Sequence, residues 1–229
     1  MALASRAWLA LGFLLALVDV ADAAVETLGS AAWAGVVIAT VSVFAWLRDP
    51  ARAWLLWGYV APLAAWAWAE RILVESGVHH GKILPAAVAL ALALSGVEAA
   101  CGVVAATYVL AGVAKLTGAG LNFLDPDYLG TLVLERSFLV PGGLSTLRQF
   151  VAESPLACTT LAALTLAAEL GAVLFVVRRY RLRVAVVLAA MHVGIWITMG
   201  YTYISWVAVL LGLATIVGSE APRLERLNA

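Results

Sequence analysis

Charge is scarce in this sequence. Of its 229 residues, 14 are Lys or Arg and 14 are Asp or Glu, 12% in all, against roughly 25% in soluble domains. The two sets cancel, so a nucleic-acid partner has no electrostatic support. Cysteine is nearly absent. Cys101 and Cys158 lie in apolar surroundings, with neither metal-site spacing nor a disulfide framework. Both read as small buried hydrophobes. The three histidines show no zinc-type spacing, and no nucleophile elbow or phosphate loop occurs. Gly118-Ala119-Gly120 follows no strand and has no meaning for nucleotides. Period-two alternation is also missing, which excludes a transmembrane barrel.

What is abundant is apolar residue, 64% of the chain, with a mean hydropathy of +1.00. In lipid, only helices or closed barrels satisfy the backbone. The expectation is therefore all-α: a polytopic membrane bundle of about eight spans with an extracytoplasmic cap of short helices, one membrane domain over residues 1–229. Its surroundings are membrane lipids.

Residues 7–25 form the first apolar segment. Arg6 and Ala21-Asp22-Ala23 make it resemble a secretory signal, but it is read as an uncleaved helix. Asp19 and Asp22, near its outer end, are either interfacial or turned to a polar cavity. Residues 31–47 and 53–73 follow, the latter with Trp54, Trp57, Trp66 and Trp68 as interfacial anchors and Pro62 as a kink. After the polar turn Glu75 to Lys82, residues 83–117 are too long for one span. A break at Ser95-Gly96-Val97-Glu98 is expected, with one long kinked helix as the alternative.

From 118 to 155 Gly, Pro and charged residues return, which reads as a cap of interfacial helices. Asp125 caps one helix with Pro126 in its first turn, and Ser145 opens another through Val151. Residues 156–177 form the next span, carrying Glu169. The basic loop Arg178 to Arg183 follows. Residues 184–218 then break at Gly200-Tyr201, with His192 in the first half. Positive charge marks the cytoplasmic side. With Arg6 inside and eight spans, Arg48/Arg52, the arginine cluster and the C-terminal arginines all fall inside. Both termini are then cytoplasmic, and the ends bearing His79, His80 and Lys115, with the 118–155 cap, face out.

The segment that organises the chain is 108–120, YVLAGVAKLTGAG. Between Gly102 and Leu116 the one charged side chain is Lys115. It either snorkels to the headgroups or is held inward for chemistry. Held inward, it would share an outward-opening cavity with His79, His80, Glu169 and His192, and desolvation would favour its neutral amine. In the plainer alternative Lys115 snorkels, Glu169 pairs with an arginine and His192 bonds a carbonyl.

YVLAGVAKL resembles the signature of the vitamin K-dependent gamma-glutamyl carboxylase and its microbial relatives with a horizontally transferred transmembrane (HTTM) domain. The matching positions are Tyr108, Ala111, Gly112, Lys115 and Leu116. Val78-His79-His80-Gly81 is similar to the family's histidine turn. Glu169, Arg178 to Arg183, His192 and Gly200 follow its later order. The resemblance covers about residues 70–216 and implies an integral membrane enzyme with an extracytoplasmic active side. Its cofactor would be a reduced naphthoquinone, with carbon dioxide and oxygen as co-substrates. Lys115 would be the base that deprotonates the hydroquinone. Oxygen then yields a strong alkoxide base and finally an epoxide, and carboxylation of a glutamate γ carbon follows. His192 and His80 would be catalytic donors, with Tyr108, Gly112, Glu169, Trp196 and His79 lining the quinone site.

The sequence departs from that family in four respects. The asparagines before the histidine turn are missing. His79 and His80 compete for one position. Leu121 and Phe123 stand where a tryptophan is expected, and the large lumenal domain that captures the substrate is not expected. A peptide or a separate soluble protein is the corresponding partner. The competing expectations are a DoxX- or MauE-like quinone-associated redox module, which shares the Gly-x-x-Lys-Leu helix end, and a non-catalytic membrane subunit.

Overall fold

The computed structural model describes residues 3–73, 80–140, 142–201 and 203–218; for residues 22, 23, 27, 70–73, 80–82, 217 and 218 it describes the backbone alone. Ten α-helices account for most of it, and no strand occurs among the described residues. They are α1 (Leu3–Leu28), α2 (Ala31–Arg48), α3 (Trp57–Leu73), α4 (His80–Ser95), α5 (Val97–Gly118), α6 (Pro126–Leu139), α7 (Ser145–Ala152), α8 (Pro155–Gly171), α9 (Arg181–Met199) and α10 (Ile204–Gly218). Short 3-10 turns lie at Ala53–Leu56, Gly120–Leu124, Ala172–Val176 and Arg178–Tyr180.

Among the described residues, five helical stretches are long and apolar enough to cross a membrane: Leu3–Ala21, Ala31–Arg48, Val97–Gly118, Pro155–Val176 and Arg178–Met199. Two shorter apolar helices are Ile83–Ser95 and Ile204–Ile216. The chain is thus built as a multi-pass membrane protein.

Helix ends fall where the backbone is forced to turn. Gly96, at φ +80°, separates α4 from α5, and Gly200, at φ +74°, ends α9. A side chain at either position would sit in the disfavoured left-handed region. Asp125 Oδ1 accepts the Asp127 N–H at 3.0 Å, and Pro126 occupies the first turn of α6, where its missing donor costs nothing. Ser154 and Pro155 start α8 in the same way. The expected helix from Ser145 runs one residue further, to Ala152. The arginine cluster differs from the expected loop. Arg178–Tyr180 is a 3-10 turn and Arg181 already belongs to α9. Arg181 is buried and donates to Phe175 O at 2.9 Å and Val176 O at 3.2 Å. Unsatisfied carbonyls at the preceding helical end attract a guanidinium more strongly than solvent does.

The contacts sort into two compact units, one of residues up to Val104 plus those from Ile204, the other Ala105–Tyr203. In the first, α1 and α10 approach closely through glycine. A Cβ on Gly12 would lie 2.8 Å from Ser205 O, and one on Gly212 would lie 2.8 Å from Leu9 N. Small residues permit such backbone contact between apolar helices. Asp19, expected to be either interfacial or turned to a polar cavity, accepts a hydrogen bond from the buried Ser205 hydroxyl at 3.0 Å, which ties it to α10.

In the second unit, α6 and α7 form a hairpin against α8 and α9. Phe123, Leu129, Val133, Cys158 and Ala162 make its core. Gly130 lets the end of α7 approach, since a Cβ there would sit 3.0 Å from Ala152 O. Two arginines complete the end of α9. Arg148 donates to Ile197 O at 3.0 Å and Val140 O at 2.7 Å. Arg136 donates to Met199 O at 3.1 Å.

Candidate functional site: two polar pairs on one face of α5

Positions 108, 112 and 115 are four and three residues apart, so they share one face of a helix. On α5 these are Tyr108, Gly112 and Lys115, and each makes a different contact within the second unit. Lys115 Nζ donates to Glu169 Oε1 of α8 at 2.6 Å, an ion pair as well as a hydrogen bond. The Lys115 side chain is 30% exposed and that of Glu169 only 8%. The ammonium also stands 5.8 Å from the centre of the Phe123 ring, close enough for a cation–π contribution. Glu169 therefore pairs with Lys115, and the plainer expectation of an arginine partner is not met.

Gly112 makes this reach possible. A Cβ at that position would lie 2.9 Å from Leu170 Cδ2 and 3.3 Å from Glu169 Cβ. Without one, α5 approaches α8 near the carboxylate, and Lys115 lies one turn beyond.

Two turns before Lys115, Tyr108 Oη hydrogen-bonds His192 Nε2 of α9. Both residues are buried. The Tyr203 ring lies 4.8 Å from the imidazole, centre to centre, and the Tyr108 ring 5.8 Å. Burial, with Tyr201 adding to it, pushes the Tyr203 phenol above its ordinary range. It therefore remains a neutral hydroxyl.

Two polar atoms are left over. Glu169 Oε2 and His192 Nδ1 are both buried without a hydrogen-bond partner among the described residues. Such atoms cost roughly 1–3 kcal/mol each, which makes them uncommon in finished cores. The carboxylate oxygen can only accept while ionised. The imidazole nitrogen donates if Tyr108 donates to Nε2, and accepts otherwise. The arrangement can thus take a hydroxyl proton at one atom and hold an oxygen at another.

Of the remaining expected site residues, Trp196 does not join these pairs. Trp196 is 47% exposed, and its carbonyl accepts the Gly200 N–H. His80 begins α4, but its side chain is not among those described, and His79 lies outside the described residues. Tyr203 and Phe123 were not expected. Their signals in the sequence are faint: an aromatic turn directly after Gly200, and an aromatic in the 3-10 turn after the lysine helix. No group of three or more metal-ligating side chains occurs among the described residues. Compared with family models, curated proteins and solved structures, the chain matches none.

Proposed function

We propose that this chain is an integral membrane enzyme resembling the vitamin K-dependent carboxylase, with about eight spans, cytoplasmic termini and an extracytoplasmic active side capped by residues 118–155. A reduced naphthoquinone supplies two ring hydroxyls and, with oxygen, the oxidisable ring whose conversion drives proton abstraction and carboxylation. The observation that carries this reading is two buried atoms without a partner among the described residues: Glu169 Oε2, on the carboxylate that Lys115 pairs with, and His192 Nδ1, on the imidazole that Tyr108 bonds. A ligand with two polar oxygens on an apolar ring matches their chemistry.

In this reading Lys115 and Glu169 work as one proton-accepting unit. Oε2 is the open position that receives a hydroxyl proton, and Lys115 on Oε1 holds the carboxylate in place. His192, fixed by Tyr108 and packed on Tyr203, orients an oxygen through Nδ1. The apolar flanks of α5, α8 and α9 exclude water, which strengthens each of these interactions. The ion pair itself also favours a second reading, a DoxX- or MauE-like quinone-associated redox module. There Lys115 and Glu169 hold a ring without carboxylation.

Lipids extracted from the purified protein are expected to contain a naphthoquinone. Quinol-dependent oxygen uptake is expected in the wild type and is expected to fall at least about tenfold, a loss of about 1.4 kcal/mol in barrier lowering, in Lys115→Ala and Glu169→Gln. Undiminished uptake in both variants would remove the pair from the chemistry. Absence of both quinone and uptake in the wild type would remove the reading altogether.

A further inference from the structure

The α6–α7 hairpin is built inside out. Helix α7 spans Ser145–Ala152. Its one charged residue, Arg148, is 4% exposed, while Leu147 and Phe150 face outward, Phe150 at 70%. On α6 the last turn repeats the pattern. Arg136 is half-buried against Met199 O and the Tyr201 ring, while Phe138 (69%) and Leu139 lie open. Between Arg136 and Arg148 the chain has no charged side chain. At the opposite end of the same hairpin stand Asp125, Asp127 and Glu153. Charge is therefore graded along the hairpin, with acidic residues at its open end and an uncharged apolar tip.

A water-facing hairpin would place its arginines outward and its phenylalanines inward. Here both guanidiniums are occupied by backbone carbonyls. The tip exposes aromatic and branched side chains beside α8, which is long and apolar enough to span a membrane. The apolar tip thus continues the apolar outer surface of a spanning helix. Glu135, exposed one turn before the end of α6, limits the depth. Four residues of helix rise about 6 Å, and interfacial helices bury their apolar faces by about 5–10 Å.

We infer that the tip of this hairpin, residues 137–140 and 142–147 with Phe150, is a lipid anchor: Phe138, Leu139, Leu147 and Phe150 insert among acyl chains, and Asp127 and Glu153 stay at headgroup level. The occupant of this face is the bilayer itself. The inference is independent of the quinone reading.

The test places single cysteines at 138, 147, 150, 127 and 153 in the full chain. Each is labelled with an environment-sensitive fluorophore and reconstituted into phosphatidylcholine vesicles. Native Cys101 and Cys158 are buried, and unsubstituted protein provides the labelling blank. Labels at 138, 147 and 150 are expected to emit to the blue, to be quenched by lipid brominated near the top of its acyl chains, and to resist aqueous iodide. Labels at 127 and 153 are expected to do the reverse. Iodide quenching at 138 and 150 equal to that at 127 and 153 would overturn the inference. Protection from both quenchers, with disulfide cross-linking between copies at position 150, would also overturn it and give the face to a second copy of the chain.

Discussion

Removing either partner of the Lys115–Glu169 pair should destabilise the protein, but unequally, and the inequality follows from burial. At 2.6 Å and an effective dielectric of about 20, the gross attraction is about 6 kcal/mol. Desolvation offsets most of that, at several kcal/mol per buried ion. The offset differs between the partners, because Lys115 is 30% exposed and Glu169 only 8%. Lys115→Met leaves a buried carboxylate without its cation, and Oε2 already lacks a partner; a cost of about 3 kcal/mol is expected. Glu169→Gln leaves a lysine whose long stem can carry its ammonium toward water or headgroups; about 1 kcal/mol is expected. The double variant should cost less than the two singles together by about 1–2 kcal/mol, since neither charge is then stranded. Equilibrium unfolding in mixed micelles, followed by the fluorescence of the nine tryptophans, measures all three. A larger loss for Glu169→Gln than for Lys115→Met, or additivity within about 0.5 kcal/mol, would refute the argument from burial.

Two further outcomes use the same measurement. Gly112→Ala should cost about 1–2 kcal/mol, because Leu170 Cδ2 at 2.9 Å can swing away but Leu170 Cγ at 3.2 Å and Glu169 Cβ at 3.3 Å cannot. Gly112→Val should cost about 2–3 kcal/mol and also abolish the Lys115–Glu169 coupling by moving α5 off α8. Two glycines of the α9 region should respond with opposite sign. Gly200→Ala, at φ +74° and against Val140 Cγ1 at 3.1 Å, should destabilise by about 1–2 kcal/mol. Gly194→Ala, in open helical space, should stabilise by about 0.5–1 kcal/mol.

Much of the chain's punctuation was legible because it is local. Gly96 and Gly200 interrupt apolar runs where only glycine takes a left-handed backbone cheaply. Asp125-Pro126 marks a helix start by capping chemistry within a few residues, and Ser145 opens α7 with its hydroxyl donating back to Gly142 O. The arginine cluster misled for the opposite reason. A run of basic residues reads as a solvated loop, but Arg181 is taken inward by two carbonyls that the sequence gives no means of locating. Arg136 and Arg148 behave alike at the end of α9.

Composition alone determined that this is a helical, multi-pass membrane protein, because a backbone in hydrocarbon must satisfy itself and no barrel periodicity is present. The spacing 108, 112, 115 likewise determined that Tyr108, Gly112 and Lys115 share a face, because the helical repeat admits no other result. Which partner each one meets was decided only by the tertiary structure. Glu169 lies 54 residues from Lys115 and His192 lies 84 from Tyr108, and the packing angle of three helices, set by side-chain volume at contacts such as Gly112 against Leu170, has no local code.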